Sequence, residues 1–306
     1  MDATSPDAPA PGGGPRVPGG PAGRYAADHA VAVGVAREAG ALVRSRFQDD
    51  YAVRAKGDRG DVVTDLDLLA ERLIVERIRQ RFPHDRILAE EAGTVPAQRS
   101  GAPHRTWLVD PLDGSNNVVI GLPAYVVGIA LCVDGAPVVA VVHDPVTDRT
   151  WTAAAGGGAF GPGGRLAGPA RPLSPAGPLL AWTQGHSVAR RDPVARALKG
   201  TLDVRCRRLL QLWAPLLAWA MLARGDIDGF VGYRAEGIDL PAGVLLAAEA
   251  GLEIRDLEGR PFRGGVDGPD TDRSFVAGRA QDLPYLLGLV AAGAGSGARP
   301  VLSRPQ

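Results

Sequence analysis

The run Trp107-Leu108-Val109-Asp110-Pro111-Leu112-Asp113-Gly114-Ser115-Asn116-Asn117 constrains this chain more than any other segment. An apolar stretch delivers Asp110 to the end of a predicted strand, where Pro111 lacks the N–H for regular pairing. Asp113 follows three residues later, and Gly114 permits a tight turn with close backbone approach. Two carboxylates on one turn, followed by amides and a hydroxyl, suit hard cations on one side and phosphate oxygens on the other. The ordinary alternative is an Asp-Gly turn with no further role.

Other carboxylates stand in comparable settings. Glu90-Glu91 closes the apolar run Ile87-Leu88-Ala89. Asp67 lies three residues after Thr64, the spacing of a helix capping box. Asp239 precedes Leu240-Pro241, where an N-cap is expected. Lys56, in Lys56-Gly57-Asp58, reads as a surface lysine when taken alone. Each has a plain explanation, and their combination raises the functional reading.

Composition removes several classes. In 306 residues, Lys+Arg and Asp+Glu are both 34, so no net charge draws the chain to nucleic acid or an acidic membrane. Two cysteines, Cys132 and Cys206, cannot staple a fold this size or make a four-ligand zinc site, and they suit a reducing compartment. The apolar run 209–223 holds fifteen residues between Arg208 and Arg224, with Gln211 and Pro215 inside it. A spanning helix needs about twenty. The apolar run 118–133 is broken by Gly121-Leu122-Pro123, and no basic segment followed by an apolar core opens the chain. The expectation is a soluble cytoplasmic protein, bound neither to membrane nor to nucleic acid.

Residues 1–23 and 292–306 are poor in apolar bulk and are expected to be disordered tails. Helical periodicity predicts helices over 25–49 and 64–81, and β-like runs fall at 86–89, 106–109, 125–133, 138–142 and 149–153. A Gly/Pro-rich connection, 156–178, separates this N-terminal α+β half (24–155) from a C-terminal α/β half (179–291). There, helices are predicted at 193–199, 214–223, 240–250 and 281–290, and strands at 179–183, 227–231, 252–254 and 274–277. Helices, then strands, then alternation predict a layered α/β fold with alternating helix and sheet layers.

The ordered set of motifs resembles the inositol monophosphatase family of metal-dependent, lithium-sensitive phosphatases over residues 25–290. It comprises Asp61-Val62-Val63-Thr64-Asp65-Leu66-Asp67, Phe82-Pro83-His84 leading to Glu90-Glu91, Asp110-Pro111-Leu112-Asp113-Gly114-Ser115, and Asp239-Leu240-Pro241-Ala242-Gly243 with Glu249-Ala250-Gly251. The resemblance implies an inositol monophosphatase-like layered fold, assembly as a homodimer, and hydrolysis of a small phosphate ester. It implies two or three Mg²⁺ ions on Glu90, Asp110, the Leu112 carbonyl, Asp113 and Asp239. The amides of Gly114 and Ser115 would cradle phosphate beside Leu112 and Asp113. Asp67 and the Ser115 hydroxyl would activate water with Glu90 in the catalytic set, while Glu91 and Lys56 would support them from behind.

The substrate half departs from the family pattern. Ile238 stands where Trp is usual, Trp213-Ala214-Pro215 replaces a Gly-Ser/Thr-Ala segment, and Gly232 replaces a Glu that binds substrate hydroxyls. Asn116 follows Ser115, and Val118-Val119 replaces an aromatic-rich stretch. Trp213, Ala214 and Gly232 are therefore the expected substrate contacts, in a pocket suited to a bulkier or less polar ester than inositol phosphate. For Trp213 and Trp219 the plainer expectation is core packing in the apolar helix. Two other functions stay open: a metal-dependent, non-hydrolytic reaction on a phosphate or diphosphate ester, and a non-catalytic binding module.

Overall fold

The computed structural model describes residues 23–56, 60–95, 104–264 and 268–296. In chain order these form α1 (Ala26–Arg46), a hairpin of β1 (Val53–Lys56) and β2 (Asp61–Thr64), α2 (Asp65–Arg81), β3 (Arg86–Ala89), β4 (Gly93–Val95), β5 (Arg105–Asp113) and α3 (Ser115–Val119). Next come β6 (Val126–Val133), β7 (Ala136–Asp144), β8 (Arg149–Ala154), β9 (Gly158–Gly161), β10 (Gly164–Arg165), β11 (Leu179–Gln184) and α4 (Pro193–Arg205). The chain finishes with β12 (Arg208–Leu210), α5 (Pro215–Arg224), β13 (Gly229–Tyr233), α6 (Leu240–Glu249), β14 (Glu253–Arg255), β15 (Phe275–Gly278) and α7 (Leu283–Ser296).

Side-chain alternation sorts these elements into five layers. Along β5, Trp107 and Val109 pack with α1 and α2, while Leu108 faces the other way, onto α5 and α6. The eight-stranded sheet, ordered β10-β9-β8-β7-β6-β5-β3-β4, is covered on both faces. Beyond α5 and α6 lies the five-stranded sheet, β12-β11-β13-β15-β14, whose outer face packs on α4 and α7. The layers thus read helix, sheet, helix, sheet, helix. A period of two places Asp110 on the Leu108 side, toward the middle helical layer.

Two expectations change here. Strand β5 does not end at Asp110; it runs to Asp113, and pairing shifts between Asp110↔Gly128 and Asp113↔Val126. Three steps on β5 oppose two on β6, so Pro111 and Leu112 sit in a bulge. Residues three apart on a regular strand face opposite ways, and the extra residue returns Asp113 to the side of Asp110. The connection 156–178 is also not wholly irregular, because β9 and β10 extend the first sheet. A third expectation also changes: at the far end α7 continues to Ser296, past residue 292 where the tail was expected to begin. The expectations for 1–22 and 297–306 lie outside the described residues.

The middle layer is fastened by Trp219, which is buried with its ring centroid 4.7 Å from Phe275 and 5.0 Å from Phe230. Gly243 of α6 makes room for it, since any Cβ there would run into the indole. Core packing therefore holds for Trp219. No helix among the described residues is long and apolar enough to cross a membrane. Trp219→Ala is expected to cost about 3–5 kcal/mol of stability by leaving a cavity between the sheets. Val204→Ala, at an 81% exposed position, should change it by less than ~0.5 kcal/mol. Urea unfolding midpoints check both.

Candidate active site

Asp110, Asp113 and Asp239 converge: one carboxylate oxygen from each lies within 4.8 Å of the others, and all three side chains are buried. The first two come from the β5 bulge. Asp110 Oδ1 accepts the Leu112 amide at 3.1 Å. Asp113 Oδ2 accepts the Leu216 amide at 2.6 Å, from the first turn of α5, where a helix has unpaired N–H groups. That approach depends on Gly128, opposite Asp110, because a Cβ there would collide with the Leu216 side chain. Asp239 stands at the N-cap position of α6, yet its side chain caps nothing. The plain explanation for this residue therefore fails, and its carboxylate turns to Asp110 instead.

Burial, then the surrounding negative charge led by Glu90, pushes the Asp110 carboxyl well above the usual aspartate range. Burial and the Asp239 charge do the same to Asp113, against the amide of Leu216. Asp239 is pushed up to about 7, by burial first and by Glu90 and Glu236, with its hydrogen bond from Asp110 opposing. The nearby ammonium of Lys56 does not neutralise them. It pairs with Glu90 at 2.7 Å and Glu91 at 2.6 Å. Three buried, oxygen-only ligands with repulsion left between them fit a hard divalent cation.

Glu90 is not one of the three converging groups; it lines the same cavity just past the end of β3, its amide bonded to the Val109 carbonyl beside Asp110 at 3.1 Å. Its loop is fixed by Glu71, which accepts the amides of Glu91 at 2.7 Å and Ala92 at 3.0 Å. Glu71 was not singled out in the sequence, although it follows Asp67 by one helical turn. Asp67 does cap α2, accepting the Thr64 amide at 2.8 Å and its hydroxyl at 2.5 Å through Oδ2. Through Oδ1 it accepts the Ser115 hydroxyl. One carboxylate thus both closes the helix cap and holds the Ser115 hydroxyl. Burial raises its pKa, against hydrogen bonds from Ser115 and Thr64. The Ser115 oxygen also lies 3.0 Å from the Leu112 carbonyl.

Gly114 has φ +113°, and a Cβ there would stand 2.8 Å from the Ala124 carbonyl, so the turn before α3 needs glycine. Asn117, also missed in the sequence, is fully buried and donates through Nδ2 to the carbonyls of Ala124 and Leu212, both at 2.6 Å. It ties the α3 turn to the segment before α5.

These groups open onto a cavity of about 880 Å³. Trp213 lines it, 55% exposed rather than packed in the core. Ala214 does not line it; it is buried behind, and Pro215 reaches the wall instead. Gly232 is likewise absent from the wall. It pairs across the sheet with Phe275, whose ring fills the space a side chain at 232 would take. Gly232→Glu should therefore disrupt the sheet rather than add a ligand. Besides Glu90, the glutamate that lines the cavity is Glu236, which accepts the His186 amide at 2.6 Å. Neither Glu236 nor His186 carries a motif that marks it.

A carboxyl with a higher pKa folded than unfolded favours folding while protonated. For Asp239 that contribution is complete below the ordinary aspartate value of 3.8 and is lost as pH rises through about 7. The chelated protein should melt lower at about pH 8 than at about pH 5.5, and added Mg²⁺ should raise the melting temperature more at the higher pH. Calorimetry over that range checks it; a melting temperature indifferent to both pH and Mg²⁺ would count against the assignment.

Comparison with known proteins agrees with the geometry. The model of the inositol monophosphatase family matches residues 26–286. The chain is 37% identical over 242 residues to an inositol-1-monophosphatase of Mycobacterium leprae, covering 74% of this chain and 82% of that protein. It is 34% identical over 232 residues to the Nus factor SuhB of Escherichia coli, covering 75% and 85%. The crystal structure of the extragenic suppressor protein suhB from Bartonella henselae superposes with a TM-score of 0.75 at 27% identity, over 86% of this chain and 98% of that one. With its layered fold and its match along most of its length, the chain belongs to the inositol monophosphatase family.

Proposed function

We propose that the protein is a Mg²⁺-dependent phosphomonoesterase acting on a small phosphorylated metabolite in the cytoplasm, as a homodimer. The observation that carries this is the meeting, at one cavity, of Ser115, hydrogen-bonded to the buried Asp67 behind it, with a cation-fitted carboxylate cluster. Asp110, Asp113, Asp239, Glu90 and the Leu112 carbonyl would hold two or three Mg²⁺, which when bound polarise phosphate oxygens, lower the pKa of water and stabilise the leaving alkoxide. The Gly114 and Ser115 amides cradle the phosphate.

The protein's own proton path is short. With Asp67 Oδ1 accepting the Ser115 proton, the Ser115 oxygen keeps lone pairs to accept a proton from an attacking water. Thr64 steadies the other Asp67 oxygen. Burial of Asp67 makes it a stronger base than an exposed aspartate, which favours proton uptake. A relative named as a phosphatase supports this reading, and one named as a Nus factor matches at similar identity. The Asp67–Ser115 pair favours hydrolysis over binding alone, and over a metal-assisted rearrangement that needs no water.

Phosphate release from a panel of metabolite phosphates in ¹⁸O-water should place one labelled oxygen in the product and should stop on exhaustive chelation. Excess Ca²⁺ should inhibit, because its longer bonds and looser coordination misplace the water. Asp110→Asn and Asp113→Asn should each lower kcat by at least about a hundredfold while raising the melting temperature of the chelated protein. Product without label, or a few per cent or more of the wild-type rate in these variants, would overturn the proposal.

A further inference from the structure

The cavity wall away from the carboxylates mixes polar side chains, among them Gln184, Gln211 and Glu236, with the apolar Trp213 and Ile120. Of five tryptophans, four are at most 2% exposed, whereas Trp213 is 55% exposed on the cavity wall. Its backbone lies in the left-handed region at φ +53°, an unfavourable state for a bulky residue that persists only where the surroundings impose it. Asn117 is the imposing group, holding the preceding Leu212 carbonyl from the same α3 turn that carries Gly114 and Ser115. The backbone that carries the indole is thus tied to the turn that holds Gly114 and Ser115.

Ile120, 63% exposed at the end of that turn, lines the same cavity. On the far side Phe275 covers Gly232, and Ile238 precedes Asp239. Against Trp213 and Ile120 themselves a hydroxyl would meet carbon and find no hydrogen-bond partner, whereas a ring would be matched there. At about 880 Å³ the cavity also far exceeds a phosphate group, and it is of the size that holds a ring-bearing ligand.

Resting on the phosphatase reading above, we propose that the alcohol esterified to the phosphate carries a planar aromatic ring, which stacks on Trp213 and packs against Ile120. Aromatic faces prefer offset stacking, and the exposed indole on this cavity wall offers such a face.

The test compares 2-phenylethyl phosphate and 2-(indol-3-yl)ethyl phosphate with butyl phosphate and glycerol 3-phosphate, all of which leave as primary alkoxides. The wild-type enzyme with Mg²⁺ should favour the ring-bearing esters by tenfold or more in kcat/KM. Trp213→Ala should reduce that preference at least tenfold, and Trp213→Phe should retain most of it. Because Trp213 is the exposed tryptophan, acrylamide quenching gives a readout without turnover. With Ca²⁺ in place of Mg²⁺, 2-phenylethyl phosphate should shield the indole and glycerol 3-phosphate should not. Equal preference in wild type and Trp213→Ala, or butyl phosphate as the better substrate, would overturn the inference while leaving the phosphatase reading standing. A dimer that Trp213→Ala converts to monomer would overturn it too, by assigning the indole to a contact between copies. No phosphate release from any ester, under any Mg²⁺ concentration, would remove the phosphatase reading and this inference with it.

Discussion

Mutual repulsion among buried carboxylates is the constraint around which this structure is arranged. Asp110, Asp113 and Asp239 are held together in the interior, where charge is most expensive and least screened. Nothing in their own side chains would bring them there. The bulge in β5 turns two of them to one face, Gly128 admits α5 so that a helix amide can reach Asp113, and Trp219 locks α5 against α6, which carries Asp239. The five-layer fold supplies the force that compresses the cluster, and it leaves three buried oxygen ligands organised as a divalent cation would need them.

This arrangement explains why the site lies between two sheets rather than within one. The first sheet contributes Asp110, Asp113 and Glu90, and the helix leading out of the second sheet contributes Asp239. Cavity walls divide in the same way. The carboxylate end is built largely from β5 and α3, where neighbours in sequence are neighbours in space. The outer wall is built from segments far apart in the chain, among them Gln184, Gln211, Glu236 and Phe275.

That division decides what could be read from the sequence. Asp67 was legible because a capping box has a fixed local spacing, and the Asp110–Ser115 run because Pro, Asp and Gly each constrain a few adjacent residues. The layered fold was legible from periodicity, to within a few residues at most element ends. The strands missed, β1, β2, β4, β9, β10 and β12, are short and mostly at sheet edges, with too few residues for alternation to stand out. Gly232 was misread for a different reason. Its environment is set by its cross-strand partner Phe275, forty-three residues on, and the pairing of β13 with β15 passes over α6 and β14. Trp213 belongs with it, since an apolar sequence neighbourhood suggests a core and only the left-handed backbone turns the indole outward.

Asp67 illustrates what such dense use of residues entails. One of its oxygens closes the first turn of α2 and the other holds Ser115. The helix start and the hydroxyl therefore share a single carboxylate, and neither can be improved alone. A stabilising redesign of that cap also changes how Ser115 is held, and a shift at Ser115 is felt as fraying of a helix seventeen residues long. This part of the molecule is closed to gradual, one-trait-at-a-time alteration, whereas the outer wall, whose residues serve no helix cap, is open to it.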